Sequence, residues 1–174
     1  MRPDQTLYPD GLEAAEGVRL TEPSSAHLAC HTRGTLDDWK THIAAQTRGH
    51  HLPTFALCAA LAGMLKEYAE VENAGFHFYG TSSRGKTIAL QVACTVHGNG
   101  ADPNLNAQAP TLLNAWNTTD NALESRAAAY ADMILVMDEL GTRTDGQAPI
   151  YAFLSGRGKA RSQIDGRLQD RQTW

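Results

Sequence analysis

Lys86 and Thr87 close the run Gly80-Thr81-Ser82-Ser83-Arg84-Gly85-Lys86-Thr87, and Asp138 and Glu139 close the apolar run Met133-Ile134-Leu135-Val136-Met137. An ammonium, a hydroxyl and two adjacent carboxylates are the groups that hold a nucleoside triphosphate with a divalent cation and activate water against it. The eight residues from Gly80 match G-x-x-x-x-G-K-[ST] at every fixed position. The spacing has a chemical reason. The glycines let the backbone curl so that successive N–H groups point inward at phosphate oxygens, and a helix starting near Gly85 adds its positive end. Lys86 would reach the β and γ phosphates of ATP, and the Thr87 hydroxyl would ligate Mg²⁺. The bland alternative is a chance glycine turn. Context argues against it, because Phe76-His77-Phe78-Tyr79 reads as an apolar strand ahead of the loop and Thr87–Val96 as a helix behind it.

Asp138 is the expected second half of such a site. In open parallel sheets the ligand crevice lies at the carboxyl ends of the strands. Asp138 would face the Mg²⁺ bound by Thr87, through water, and Glu139 would orient or deprotonate the attacking water. Alone, an Asp-Glu pair does no more than end a strand and cap a turn. Together with Lys86-Thr87 it has the order of a P-loop ATPase with a catalytic glutamate, with room between for a helix, a strand and a second helix.

The elements that must position these groups are legible in outline. Residues 1–34 are rich in Pro and Gly and read as turns, with at most short strands such as Gly17-Val18-Arg19-Leu20. Thr35 with Asp38 three residues on is a near-match to a capping box, and Leu36, Trp39, Ile43 and Ala44 form an apolar face behind it. Arg48-Gly49-His50-His51 breaks that helix. Pro53 suits the first turn of a second one, running to about Glu70 and packing closely through its Ala, Leu and Gly63. In the helix after the loop, Ile88, Leu90, Val92 and Ala93 are available for packing. A strand near Leu112–Trp116, a helix from a Thr119 or Asp120 cap to Ala129, the Met133–Met137 strand and a helix over Ala148–Leu154 complete the alternation. Strand and helix alternating after residue 75 predict an α/β fold with a parallel sheet. Trp39, Trp116 and Tyr79 read as core residues. The organisation is a turn-rich segment 1–34, a helical lead-in 35–73 and a P-loop core 74–174, within one compact domain.

The 174 residues carry 15 basic and 19 acidic side chains, a net charge of −4 that demands neither a nucleic acid nor a membrane partner. Three cysteines, Cys30, Cys58 and Cys94, are too few and too scattered for a disulfide framework and suit a reducing compartment. No signal peptide opens the chain, and Phe55–Leu65 is too short to span a bilayer, so the expected location is the cytoplasm. Cys30-His31 and His50-His51 fit none of the common zinc spacings.

The runs GTLDDWKTHIAA, FHFYGTSSRGKTIALQVA, WNTTDNALESRAAAYADMILVMDELG and YAFLSGRGKAR together resemble the family of domains of unknown function numbered nine hundred and twenty-seven, over about residues 34–174. Trp116–Glu124 and Gly158-Lys159-Ala160-Arg161 are not general P-loop features, which makes the resemblance specific. Such domains occur in proteins of plasmids, phages and integrative elements, often as the helicase-like part of primase–helicase proteins. The resemblance therefore implies an ATPase-type domain in DNA processing. Family members usually carry a small Ser or Thr at the position of Arg84 and a second Thr at that of Ile88, which here is expected to pack inward. They also continue past the position of Trp174 into a strand with a polar residue beside the γ-phosphate. The resemblance thus implies a sheet truncated before its sensor strand, which puts hydrolysis and motor function in question.

Between Arg157 and Arg171 five basic residues face two acidic ones. Arg157, Lys159 and Arg161 are candidates for DNA phosphate contacts or for reaching a neighbouring subunit's nucleotide in a homo-oligomer, against the alternative of a solvated terminal segment. Two functions follow. One is an ATP-binding, helicase-like domain of a mobile-element protein. The other is an inactive derivative that binds a host protein complex, such as a defence assembly.

Overall fold

The computed structural model describes residues 24–66, 68–105, 109–142 and 147–156, with the short stretches 161–162 and 168–169. The expected strand at Gly17–Leu20 lies outside them. α1 (Ser25–Ala29) stands where only turns and short strands were expected. Five residues are too few to hold a helix by themselves, and tertiary contact supplies the rest. Ala26 and Ala29 are buried, and the Asn99 amide donates to the Ala29 carbonyl at 2.9 Å. Gly98 makes this approach possible, since a Cβ there would collide with the Ala29 carbonyl.

α2 (Leu36–His42) starts on the expected capping box. The Asp38 amide donates to the Thr35 hydroxyl at 3.1 Å and the Thr35 amide to the Asp38 carboxylate at 3.2 Å. A 3₁₀ turn (Ala44–Thr47) and the left-handed Gly49 then lead into α3 (His51–Gly63). Pro53 sits in its first turn, where a missing amide costs nothing. The helix stops short of the expected Glu70. Gly63 is a poor helix former, and the Leu65 and Tyr68 that follow are exposed, so no apolar face remains to bury.

α3 packs on α4 (Lys86–Cys94). Ala56 and Ala60 on one helix and Ala89 and Ala93 on the other are all exposed by 2% or less, and their i, i+4 spacing gives each helix a smooth stripe. Ala89, not Ile88, turns to the core. Ile88 is 60% exposed and does not pack inward as expected. Cys94 is fully buried, which pushes its thiol up to about 12 and leaves it a small apolar side chain. Among the described residues, Leu112 and Leu123 are the other large, fully buried side chains, each contributing about 2 kcal/mol by leaving water.

β1 (Leu113–Ala115) and β2 (Val136–Asp138) pair in parallel with Leu113 opposite Val136 and Ala115 opposite Asp138. α5 (Asp120–Ala129), capped by the Thr119 hydroxyl at the Ala122 amide (3.3 Å), lies between them in the chain, and α4 packs on both strands. This is the expected α/β pattern, but the expected strand over Met133–Met137 is shifted: Met133, Ile134 and Leu135 stand outside it and Asp138 inside, where the parallel pairing with β1 supplies its hydrogen bonds. α6 (Gln147–Ser155) packs on α5, and β3 (Arg161–Ser162) pairs antiparallel with β4 (Leu168–Gln169).

One expected element is absent. Phe76–Tyr79 forms no strand and joins neither sheet. Its aromatics find α3 instead, with the Phe76 and Phe78 rings edge-on to Phe55 at 4.8 and 6.1 Å. That contact covers only part of the segment. Tyr79 is 86% exposed and is not a core residue, whereas Trp116, at 7%, is. Trp39 is half-buried, its indole N–H donating to the Thr95 hydroxyl at 3.0 Å. Among the described residues no helix is long and apolar enough to cross a membrane.

His97 follows α4, and its Nε2 meets the Ala60 carbonyl of α3 at 3.3 Å. Burial holds its imidazole below the usual range. The folded protein therefore resists a proton that the unfolded chain accepts. The stability tied to neutral His97 is complete above the unfolded value of about 6.5 and declines as pH falls below it. The melting temperature should drop between pH 7 and 5, and His97→Gln should flatten that slope. Identical slopes in the two proteins would assign the acid sensitivity to another group.

Candidate functional site

The glycine loop keeps a curled backbone. Gly80 (φ +140°), Ser83 (φ +59°) and Gly85 (φ +76°) all have positive φ. A Cβ at Gly80 or Gly85 would meet nothing within 4 Å, so backbone conformation, not crowding, is what calls for glycine there. Gly85 is also the N-cap of α4 and brings no capping side chain. The positive end of that helix, with its unpaired first-turn amides, is therefore not blocked by a side-chain cap.

Lys86 opens α4 and folds back over the loop, its ammonium donating to the Gly80 carbonyl at 3.0 Å and the Thr81 carbonyl at 2.8 Å. Thr81, Ser82, Ser83 and Arg84 are exposed along the loop, and Arg84 Nε donates to the Thr81 hydroxyl at 3.2 Å. At the next residue of the helix, the Thr87 hydroxyl donates to Asp138 Oδ2 at 2.9 Å across a separation of 51 residues. The two motifs that the sequence set apart thus meet. Packing brings them together: α4 lies on β2, and Asp138 is the last residue of that strand.

Asp138 is held from its other side as well, its Oδ1 accepting the Glu139 amide at 2.8 Å. Glu139 has φ +63°, a left-handed conformation that a non-glycine residue adopts only where its surroundings impose it. It is exposed, directly beyond the strand end. A hydroxyl and a carboxylate oxygen at 2.9 Å form the hard-oxygen pair that suits Mg²⁺, and a lysine ammonium lies on the adjoining loop. The residues present fit that ion. Arg157 and Lys159 lie outside the described residues, and Arg161 lies on β3.

Three residues with a bearing on the site were not read as parts of it in the sequence. The Trp116 amide donates to the Asp138 carbonyl at 3.1 Å, carrying the β1–β2 ladder one bond past Ala115. Its ring lies 5.8 Å from that of Phe153 on α6. Asn73 Nδ2 donates to the Phe153 carbonyl at 3.2 Å. Trp116 did carry a signal, as the first residue of the run Trp116–Glu124. Asn73 and Phe153 had none, because their partners lie far away in sequence.

The family model of Domain of unknown function (DUF927) matches residues 4–173 of the chain. No curated protein and no solved structure matches it.

Proposed function

The chain belongs to that family of domains of unknown function, and from this membership and the geometry above we propose that it is a P-loop nucleotide-binding domain that takes ATP with Mg²⁺. One observation carries the reading: the Thr87 hydroxyl and the Asp138 carboxylate, each required by its own motif, stand 2.9 Å apart. In this reading the loop amides and the N-terminus of α4 receive the phosphates, and Lys86 leaves the Gly80 and Thr81 carbonyls to pair with the β and γ oxygens. Thr87 and Asp138 hold Mg²⁺. When bound, Mg²⁺ neutralises charge on the phosphate oxygens. Glu139 is the group positioned to orient water and accept its proton. Titration of Mg²⁺–ATP, with Lys86→Ala as control, tests the proposal.

The family's mobile-element setting makes DNA processing, helicase-like and cytoplasmic, the context we propose, with Arg157, Lys159 and Arg161 contacting phosphates. Each phosphate contact releases a counterion, so DNA affinity should fall steeply with salt. The double change Lys159→Ala/Arg161→Ala should reduce the slope by about two units. A second reading, a module that binds a host protein complex, is favoured by exposed aromatic surface: Phe76 at 61%, Tyr151 at 73% and Tyr79 at 86%. DNA binding undetectable even at low salt, together with a stoichiometric protein partner, would replace the first reading by the second.

A further inference from the structure

Two segments of the chain lead to the proposed nucleotide site. One is the lead-in of residues 73–79 to the glycine loop. The other is the end of β2, which presents Asp138. In Phe76–Tyr79 no backbone ladder ties the first arm to the sheet. Phe153 of α6 touches the first arm directly and the second through Trp116, the residue after β1. The Phe153 carbonyl accepts from Asn73 Nδ2 at 3.2 Å, and Asn73 Oδ1 in turn accepts from the Lys66 ammonium, which fixes which face of the amide points at α6. Two residues on, the open side of Gly75 faces Leu154, with room for a Cβ only at 3.4 Å from Leu154 Cδ2. On the other side the Phe153 ring lies 5.8 Å from the ring of Trp116. Trp116 is 7% exposed, and its amide holds the Asp138 carbonyl at 3.1 Å.

We infer that Phe153 is a positioning residue of the nucleotide site: α6 acts as a clamp that sets the distance between the phosphate loop and the metal-binding carboxylate. The inference rests on the nucleotide reading for its consequence and on these contacts for its geometry. The packing of α4 on β2 holds Thr87 beside Asp138, but a loop entered without a strand needs an external brace on its lead-in, and Phe153 of α6 touches both that lead-in and Trp116. Metal sites depend on such outer supports, whose loss costs affinity without removing a ligand.

The test uses Phe153→Leu, which keeps an apolar helical residue but withdraws the ring, and Asn73→Ala, which releases the lead-in alone. Two quantities are read: hydrogen exchange of the Trp116 amide in the nucleotide-free protein, and the ratio of ATP affinities with Mg²⁺ and with a chelator. Both variants should lose protection at Trp116, Phe153→Leu more so. The Mg²⁺-dependent gain should fall about tenfold while Mg²⁺-free affinity holds. Ala29→Gly, which loosens the remote α1, should lower the melting temperature without moving either quantity. Unchanged protection at Trp116 in both variants overturns the clamp. Loss in Phe153→Leu alone overturns it too, since Phe153 would then only underpin Trp116. If the wild type takes up no ATP, the nucleotide reading fails, and the exchange arm still decides whether α6 joins the two arms.

Discussion

Mg²⁺–ATP at about a hundred times its dissociation constant should stabilise the folded chain by about 2.7 kcal/mol, because a ligand that binds only the native state shifts the equilibrium by mass action. For a domain of this size that is a rise of roughly 5–10 °C in melting temperature. Lys86→Ala should abolish most of the rise while leaving the nucleotide-free protein nearly as stable as before. The reason is where the lysine sits. Its ammonium bonds to the Gly80 and Thr81 carbonyls on an exposed loop, where water readily replaces it. Removing those bonds costs about 1 kcal/mol or less. The phosphates, by contrast, would lose their nearest positive charge. Differential scanning fluorimetry with and without Mg²⁺–ATP on both proteins measures this directly. A wild type that shows no shift at millimolar ATP would sink the nucleotide proposal and promote the protein-binding one.

Asp138→Asn should weaken Mg²⁺-dependent ATP binding tenfold or more, about 1.4 kcal/mol. Glu139→Gln should leave binding within about twofold and lower any turnover by roughly 10²–10⁴. The two carboxylates are neighbours in sequence but differ in placement. Asp138 is gripped by the Thr87 hydroxyl at 2.9 Å and the Glu139 amide at 2.8 Å, and in the proposed reading it is the metal-side ligand. Asparagine keeps the shape and an accepting oxygen but not the charge a divalent cation needs. Glu139 stands beyond the strand end, exposed and in a left-handed backbone, and in the same proposed reading it handles water and not the metal. Isothermal titration with and without Mg²⁺, alongside phosphate release, separates the two. Equal losses of binding would mean that the roles are misassigned.

Local chemistry was what the amino-acid sequence by itself determined. The Thr35–Asp38 box, the Thr119 cap and the glycine loop opening α4 are all written within a few neighbouring residues, and each formed where its pattern stood, while of the run Met133–Met137 only Val136 and Met137 entered the strand that ends on Asp138. The α/β alternation was legible for the same reason, since hydrophobic period and turn residues are short-range signals. Phe76–Tyr79 shows the limit. Its composition reads as a strand, but a strand exists only when a neighbour supplies hydrogen bonds, and here the segment leans its rings on Phe55 of α3. Ile88 and Tyr79 stand in apolar runs yet face solvent, because which side of an element is covered depends on what packs beside it. α1 exists because Gly98 lets the Asn99 loop reach Ala29. The contact between Thr87 and Asp138 was expected from two motifs. Only the packing of α4 on β2 decided that the two groups stand within a hydrogen bond of each other, since no local pattern encodes the distance between residues 51 positions apart.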